Sequence, residues 1–221
     1  MEQHSRRPNA AIFDFDGTLA DSMWVWDKVD SEFARRRGLP FKEEDAETIA
    51  ALGFEGTAQW MIERYGLTET VEDLIDEWYE LAAESYANEV RLKPGAEDFV
   101  RQLKAEGIPV AIATSLSRPM LEPALENTGV RELFDELVVC EEVCEGGKST
   151  PAVYLEASRL LGVDLEGSVV FEDVALAARS AKAGGAYVVG VRDDHAQQVR
   201  SELIEAADLF VQGFEELLSR P

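Results

Sequence analysis

Histidine is nearly missing from this chain: its 221 residues include two, His4 and His195. Neither lies near a candidate catalytic motif, which argues against histidine-based catalysis. Cysteine is as scarce. Cys140 and Cys144 have no ligand-rich neighbourhood, so they build neither a zinc site nor a disulfide framework and are expected as reduced thiols. Long apolar runs are also lacking, although an ordinary 46% of the chain is hydrophobic, and no window approaches a membrane span. The polar stretch Met1 to Asn9 has no secretory apolar core and is expected as a short mobile tail of a cytoplasmic protein.

Positive charge is short as well, with 21 basic against 44 acidic residues and a net charge of -23. Such a surface repels nucleic acid and anionic membranes, and neither is expected as a partner. A phosphorylated small molecule is repelled too, unless the site carries local cations. One bound divalent metal and one well-placed lysine are enough. The length fits one core with a smaller appended unit; a monomer or weak homo-oligomer is expected. The chain has no internal repeat and no low-complexity tract.

What is present centres on Ile12-Phe13-Asp14-Phe15-Asp16-Gly17-Thr18-Leu19. The apolar run Ala10 to Phe13 predicts a buried strand that delivers two carboxylates. In an extended chain residues i and i+2 point the same way, so Asp14 and Asp16 are expected on one side. Gly17 permits a sharp turn and Thr18 adds a hydroxyl to it. Two acids at a buried strand end need a cation, a proton or donors to compensate them.

From Asp21 to Glu89 the periodicity is helical. Trp26, Val29 and Phe33 mark the buried face of a helix over Ser22–Gly38, with Trp24 on the other side near Lys28. Helices over Glu43–Leu52, Gly53–Arg64 and Thr68 to about Asn88 follow, the last with Val71, Leu74, Ile75, Trp78, Leu81 and Ala82 as its apolar positions. From Leu92-Lys93-Pro94-Gly95 onward helices alternate with apolar strands at Ile108–Ala113, Leu137–Cys140, Ser168–Phe171, Ala186–Val191 and Leu209–Val211; a helix from about Ala196 precedes the last. The fold class is therefore α/β: a Rossmann-like parallel sheet with helices on both faces, plus an inserted all-α unit. The boundaries read as residues 1–20 and 90–221 for the core and 21–89 for the insertion.

In such sheets ligands sit beyond the carboxyl ends of the strands. One strand ends in Thr114-Ser115, whose hydroxyls and turn amides suit a phosphate oxygen; Arg118 follows closely. Gly146-Gly147-Lys148-Ser149-Thr150-Pro151 fixes a lysine in a loop before a helix. Val169-Val170-Phe171-Glu172-Asp173 ends in two acids, hard oxygen ligands of the kind magnesium prefers. In isolation each of the three also reads as a turn or a helix cap. A Walker A loop is ruled out because Glu142 stands where its first glycine belongs.

The octapeptide resembles motif I of the haloacid dehalogenase-like (HAD) phosphohydrolases, and the other three segments resemble that family's motifs II, III and IV in order. The helical insertion is similar to the family's type I cap, within a phosphatase and β-phosphoglucomutase-like group. The resemblance covers nearly the whole chain. It implies Asp14 as nucleophile, Asp16 as general acid/base, and Thr114 and Lys148 on the phosphoryl group. It further implies Mg²⁺ held by Asp14, Glu172, Asp173 and the backbone carbonyl of Asp16. Ser115, Trp24 and Lys28 are candidate substrate contacts. The family's usual Asp after the motif III proline is Ala152 here, and its Ser-x-x-Gly after the second motif IV acid is Val174-Ala175-Leu176-Ala177.

The expected activity is hydrolysis of a small phosphorylated metabolite, of the sugar or polyol phosphate kind. A β-phosphoglucomutase-like isomerase is the alternative, but its cap arginine three residues after a glycine is Gly56 here, following Gly53. Asp16 argues against a C–Cl dehalogenase, whose members lack the second Asp. The insertion argues against a response-regulator receiver. A catalytically dead binding protein is disfavoured because every side chain the chemistry needs is present.

Overall fold

The structure is a computed structural model that describes residues 7–49, 52–144, 146–194 and 199–219. His4 and His195 lie outside the described residues, as do most of the expected N-terminal tail and the expected start of a helix at Ala196.

Chain order runs β1 (Ala11–Phe13), β2 (Ala20–Asp21), α1 (Trp24–Arg37), α2 (Glu43–Ile49), α3 (Gly53–Tyr65), α4 (Val71–Asn88) and β3 (Arg91–Leu92). Then come α5 (Ala96–Ala105), β4 (Val110–Thr114), α6 (Arg118–Thr128), β5 (Glu136–Val139), α7 (Cys140–Val143) and α8 (Ala152–Leu160). The chain closes with β6 (Val169–Glu172), α9 (Ala175–Ala183), β7 (Tyr187–Val191), α10 (Arg200–Ala206), β8 (Leu209–Val211) and α11 (Phe214–Leu218).

Six strands form one parallel sheet in the order β5-β4-β1-β6-β7-β8. Side chains alternate across it, and the two faces bury different kinds of residue. On one face Phe13 stacks on Phe171 at 4.4 Å, and Phe99 of α5 and Phe214 of α11 pack against the pair. On the other face Ile12, Ala111, Val170 and Val188 pack under Ala157 of α8, Ala178 and Ala181 of α9 and Leu203 of α10. Aromatic bulk fills the first face, whereas small residues let helices approach closely on the second.

Between β1 and β4 the chain leaves the sheet. β2 and β3 pair antiparallel, Ala20 with Leu92 and Asp21 with Arg91, and α1 to α4 lie between them in sequence. Two of these helices close at a recognisable signal: Gly38 and Gly66 end α1 and α3 in the left-handed conformation. α4 starts at Val71 rather than Thr68, because Thr70 and Asp73 form a reciprocal capping box. Its buried residues are Leu74, Trp78, Ala82, Ser85 and Tyr86, a narrower stripe than the sequence predicts; Val71, Ile75 and Leu81 are only half-buried. In α1 Val29 and Phe33 are buried as the spacing predicts, joined by Val25 and Ala34, whereas Trp26 is only half-buried. α4 packs on α6, so apolar residues of the insertion and of the sheet's aromatic face belong to one continuous cluster. Among the described residues no helix is long and apolar enough to cross a membrane.

Candidate active site

β1 lies centrally, between β4 and β6. Phe13 is in register with Ile112 on one side and Phe171 on the other, so Asp14 and Glu172 leave their strands at the same level. The Asp14 amide donates to the Phe171 carbonyl (3.0 Å), which holds the two strand ends together. Because Phe13 and Phe171 occupy one face, the next residues along each strand, both acidic, turn to the other.

The strand stops at Phe13, earlier than an i/i+2 argument for Asp14 and Asp16 requires. A turn carries the chain onward: the Ala20 amide donates to the Phe15 carbonyl (2.9 Å) and the Gly17 amide to the Ala20 carbonyl (3.1 Å). Gly17 has φ +70°, and a Cβ at this position would collide with the Asp173 carboxylate. Both facts demand glycine. Thr18 Oγ1 donates to Asp173 Oδ1 (3.1 Å), tying the same turn to the end of β6.

Ligand oxygens of Asp14, Glu172 and Asp173 lie within 4.8 Å of one another, and all three residues are buried. Lys148 reaches in from the turn before α8: its Nζ is 2.6 Å from Asp14 Oδ1 and 2.5 Å from Glu172 Oε1. Tyr154 of α8 donates to the same Glu172 oxygen (2.6 Å). Glu172 Oε2 is buried and accepts no hydrogen bond among the described residues. A buried carboxylate oxygen without a donor is costly unless something else neutralises it. Hard oxygens gathered around such an atom fit a divalent cation such as Mg²⁺.

Burial pushes the Glu172 carboxyl up to about 7, reinforced by Asp14 and opposed by Lys148 and Tyr154. Asp173 is raised well above the usual carboxylate range by burial, then by Asp14 and Glu172. Asp16 is raised to about 6, again chiefly by burial; the Ser22 and Tyr86 donors and Lys148 pull against this, and the Asp14 charge adds to it. Burial alone would lower Lys148, but Asp14 and Glu172 hold its ammonium above its ordinary range. One fixed cation thus sits among more acids than it can neutralise.

The other expected residues divide. Thr114 ends β4, buried, with Oγ1 accepting from the Leu116 amide (3.1 Å); Ser115 beside it is exposed, and its Oγ lies 3.6 Å from Cys140 Sγ. Trp24 is half-buried and donates from Nε1 to the Asp21 carbonyl (2.9 Å). Lys28 is not brought to the acids: its Nζ pairs with Glu89 (2.5 Å) and donates to Ser85 (3.1 Å), which locks α1 to the end of α4. Arg118 is taken up by Glu142 and Glu122. Cys140 and Cys144 are free thiols. Val174, in place of the family's Ser, is 47% exposed and offers no hydroxyl, and Ala177 is buried where the Gly would be.

Sequence reasoning missed four contributors: Ser22, Tyr86, Tyr154 and Lys93. Lys93 follows β3 and donates to the carbonyls of Gly17 and Arg192, and its Nζ lies 2.7 Å from buried Asp193. Only for Tyr86 was there a signal, since it continues the Leu74-Trp78-Ala82 spacing and a buried tyrosine hydroxyl needs a partner.

Acids crowded round a held ammonium at the carboxyl edge of a parallel α/β sheet suit a divalent cation and an anionic phosphoryl group, the equipment of a hydrolase acting on phosphate esters. The chain belongs to the haloacid dehalogenase-like hydrolase family, whose profile matches residues 8–185. It is 30% identical over 221 aligned positions to the probable pseudouridine-5'-phosphatase of Drosophila melanogaster, covering 90% of this chain and 92% of that protein. The bifunctional riboflavin kinase/FMN phosphatase of Arabidopsis thaliana is 28% identical over 184 positions; the match takes in 83% of this chain and 48% of the longer relative. Among solved structures, the putative β-phosphoglucomutase of Thermotoga maritima superposes with a TM-score of 0.83 at 25% identity, covering 95% of this chain and 96% of that one.

Proposed function

We propose that this protein is a Mg²⁺-dependent phosphomonoesterase that acts on a small sugar or polyol phosphate through an aspartyl-phosphate. The observation that carries the reading is Lys148 held between Asp14 and Glu172, next to a buried Glu172 oxygen with no hydrogen-bond partner among the described residues. Asp14, Glu172, Asp173 and the Asp16 backbone carbonyl would hold the metal. Bound there, it would offset the carboxylate charge and polarise the phosphoryl group.

Lys148 and Thr114 bind phosphoryl oxygens, and the lysine lets a dianion approach the acids. Asp14 attacks phosphorus as the bond to the leaving oxygen breaks. Asp16 gives that oxygen a proton, then takes one from the water that hydrolyses the acyl phosphate. The helical insertion, residues 21–89 in this reading, covers the site as a cap and limits water entry. Trp26, Phe54, Tyr79 and Tyr86 link by ring contacts from 4.9 to 6.4 Å, and the Tyr86 end of this chain of rings reaches Asp16. The pseudouridine-5'-phosphatase and FMN phosphatase named above support a small phosphorylated metabolite as substrate.

The test is phosphate release from a panel of phosphorylated metabolites with Mg²⁺, with a chelator, and with Asp14→Asn. Metal-dependent release that falls at least about 10³-fold in the variant supports the mechanism. Release indifferent to both treatments would sink it. The second reading, a mutase, is favoured by the Thermotoga maritima neighbour; conversion of β-glucose 1-phosphate to the 6-phosphate without phosphate release would put it first.

A further inference from the structure

The general acid assigned above has two oxygens, and the surroundings treat them differently. Ser22 Oγ donates to Asp16 Oδ1 at 2.6 Å, and Tyr86 Oη donates to the same oxygen at 2.8 Å. Among the described residues no hydrogen bond reaches Oδ2. Ser22 follows β2 directly, whereas Tyr86 lies in the last turn of α4, separated from Asp16 by 70 residues of chain. The tyrosine is fully buried, and Trp26 packs against its ring at 6.4 Å, so the hydroxyl has little freedom to point elsewhere.

We infer that Tyr86 is a positioning residue for the general acid: with Ser22 it occupies Oδ1, so that Oδ2 faces the leaving oxygen and carries the transferred proton. An oxygen accepting two donors cannot also hold a proton directed at substrate, and rotation of the carboxyl would break both bonds. In the step itself, the Asp14 oxygen bonds to phosphorus and the phosphorus–oxygen bond to the leaving group breaks. The bonding pair goes to the leaving oxygen, which takes the proton from Oδ2. Tyr86 touches neither substrate nor phosphorus. It acts by keeping the acid in one orientation while α4 is docked, which makes the insertion part of the proton-transfer apparatus.

This role rests on the phosphatase reading and is separable from it. The leaving group decides how much an acid matters: an alkoxide needs its proton, whereas p-nitrophenolate departs without one. The comparison is therefore between p-nitrophenyl phosphate and the sugar or polyol phosphate that the wild type cleaves fastest. Tyr86→Phe, which keeps the ring, is expected to lower kcat on the alkyl ester about 10- to 100-fold, and on the aryl ester by less than about threefold. In an Asp16→Asn background Tyr86→Phe is expected to have no further effect, because the group it orients is gone. Equal losses on both esters, or losses that multiply with Asp16→Asn, would overturn the inference and leave Tyr86 a packing residue. A wild type that cleaves only the aryl ester would overturn it as well. A wild type that releases phosphate from neither ester would instead remove the reading on which it stands.

Discussion

Glu172 carries an unusual load for a single side chain: it pairs with Lys148, accepts from Tyr154, and keeps one buried oxygen with no donor among the described residues. Its carboxyl titrates at about 7 rather than 4.5, so between those values the folded protein binds more protons here than the unfolded chain does. Stability must then fall as pH rises through that window, the reverse of a salt-bridged surface acid. Thermal denaturation of the metal-free protein is expected to show Tm dropping from pH 5 to pH 7.5, and both saturating Mg²⁺ and Glu172→Gln are expected to flatten the slope. A slope unchanged by either would place the pH sensitivity elsewhere. Asp14, Lys148, Glu172 and Asp173 were legible in the sequence because each lies in a contiguous string with its own strand or its own Gly and Pro. Ser22, Tyr154 and Lys93 were not, since what makes them matter is a partner contributed by another element, and the spacing of α4 marks Tyr86 as buried without naming its partner. The sequence shows the acids; it does not show what holds them.

Among the elements, α4 is the one on which most depends, because it carries Tyr86 and joins the insertion to α6. Thr70 and Asp73 satisfy its first amides reciprocally. Thr70→Ala is expected to cost about 1 kcal/mol in urea denaturation, with Asp73→Ala similar and the double variant less than additive. Full additivity would mean that the two contacts act independently. The strands were readable because each is an apolar run between turn signals, and the structure shifts their ends by only a residue or two. β2 and β3 escaped notice for a plain reason: two-residue strands carry no periodicity. The start of α4 was misplaced by its own cap, since Thr68 and Thr70 both look like N-caps and only the carboxylate of Asp73 distinguishes them.

At the scale of the molecule, charge and site work against each other. A protein with net charge -23 repels a phosphate ester at long range, although Lys148 attracts it at close quarters. Raising ionic strength from 10 to 150 mM shortens the screening length from about 30 to about 8 Å. At fixed free Mg²⁺, kcat/KM for a dianionic ester is therefore expected to rise over that range, opposite to an enzyme that steers its substrate. A flat or falling profile would show that the field near the site is not the average field.

The antiparallel pairing of Ala20 with Leu92 and Asp21 with Arg91 brings the two ends of the insertion side by side. A pair of strands in that arrangement can equally be closed by a two-residue turn. Topologically, then, everything between β2 and β3 is one oversized hairpin loop, and it can be lengthened, trimmed or exchanged without re-threading the sheet. Recombination at this seam would graft a new recognition module onto an unchanged reaction centre. Any transplanted module would have to bring its own hydroxyl for Asp16, or the hybrid would bind its new ester and cleave it slowly.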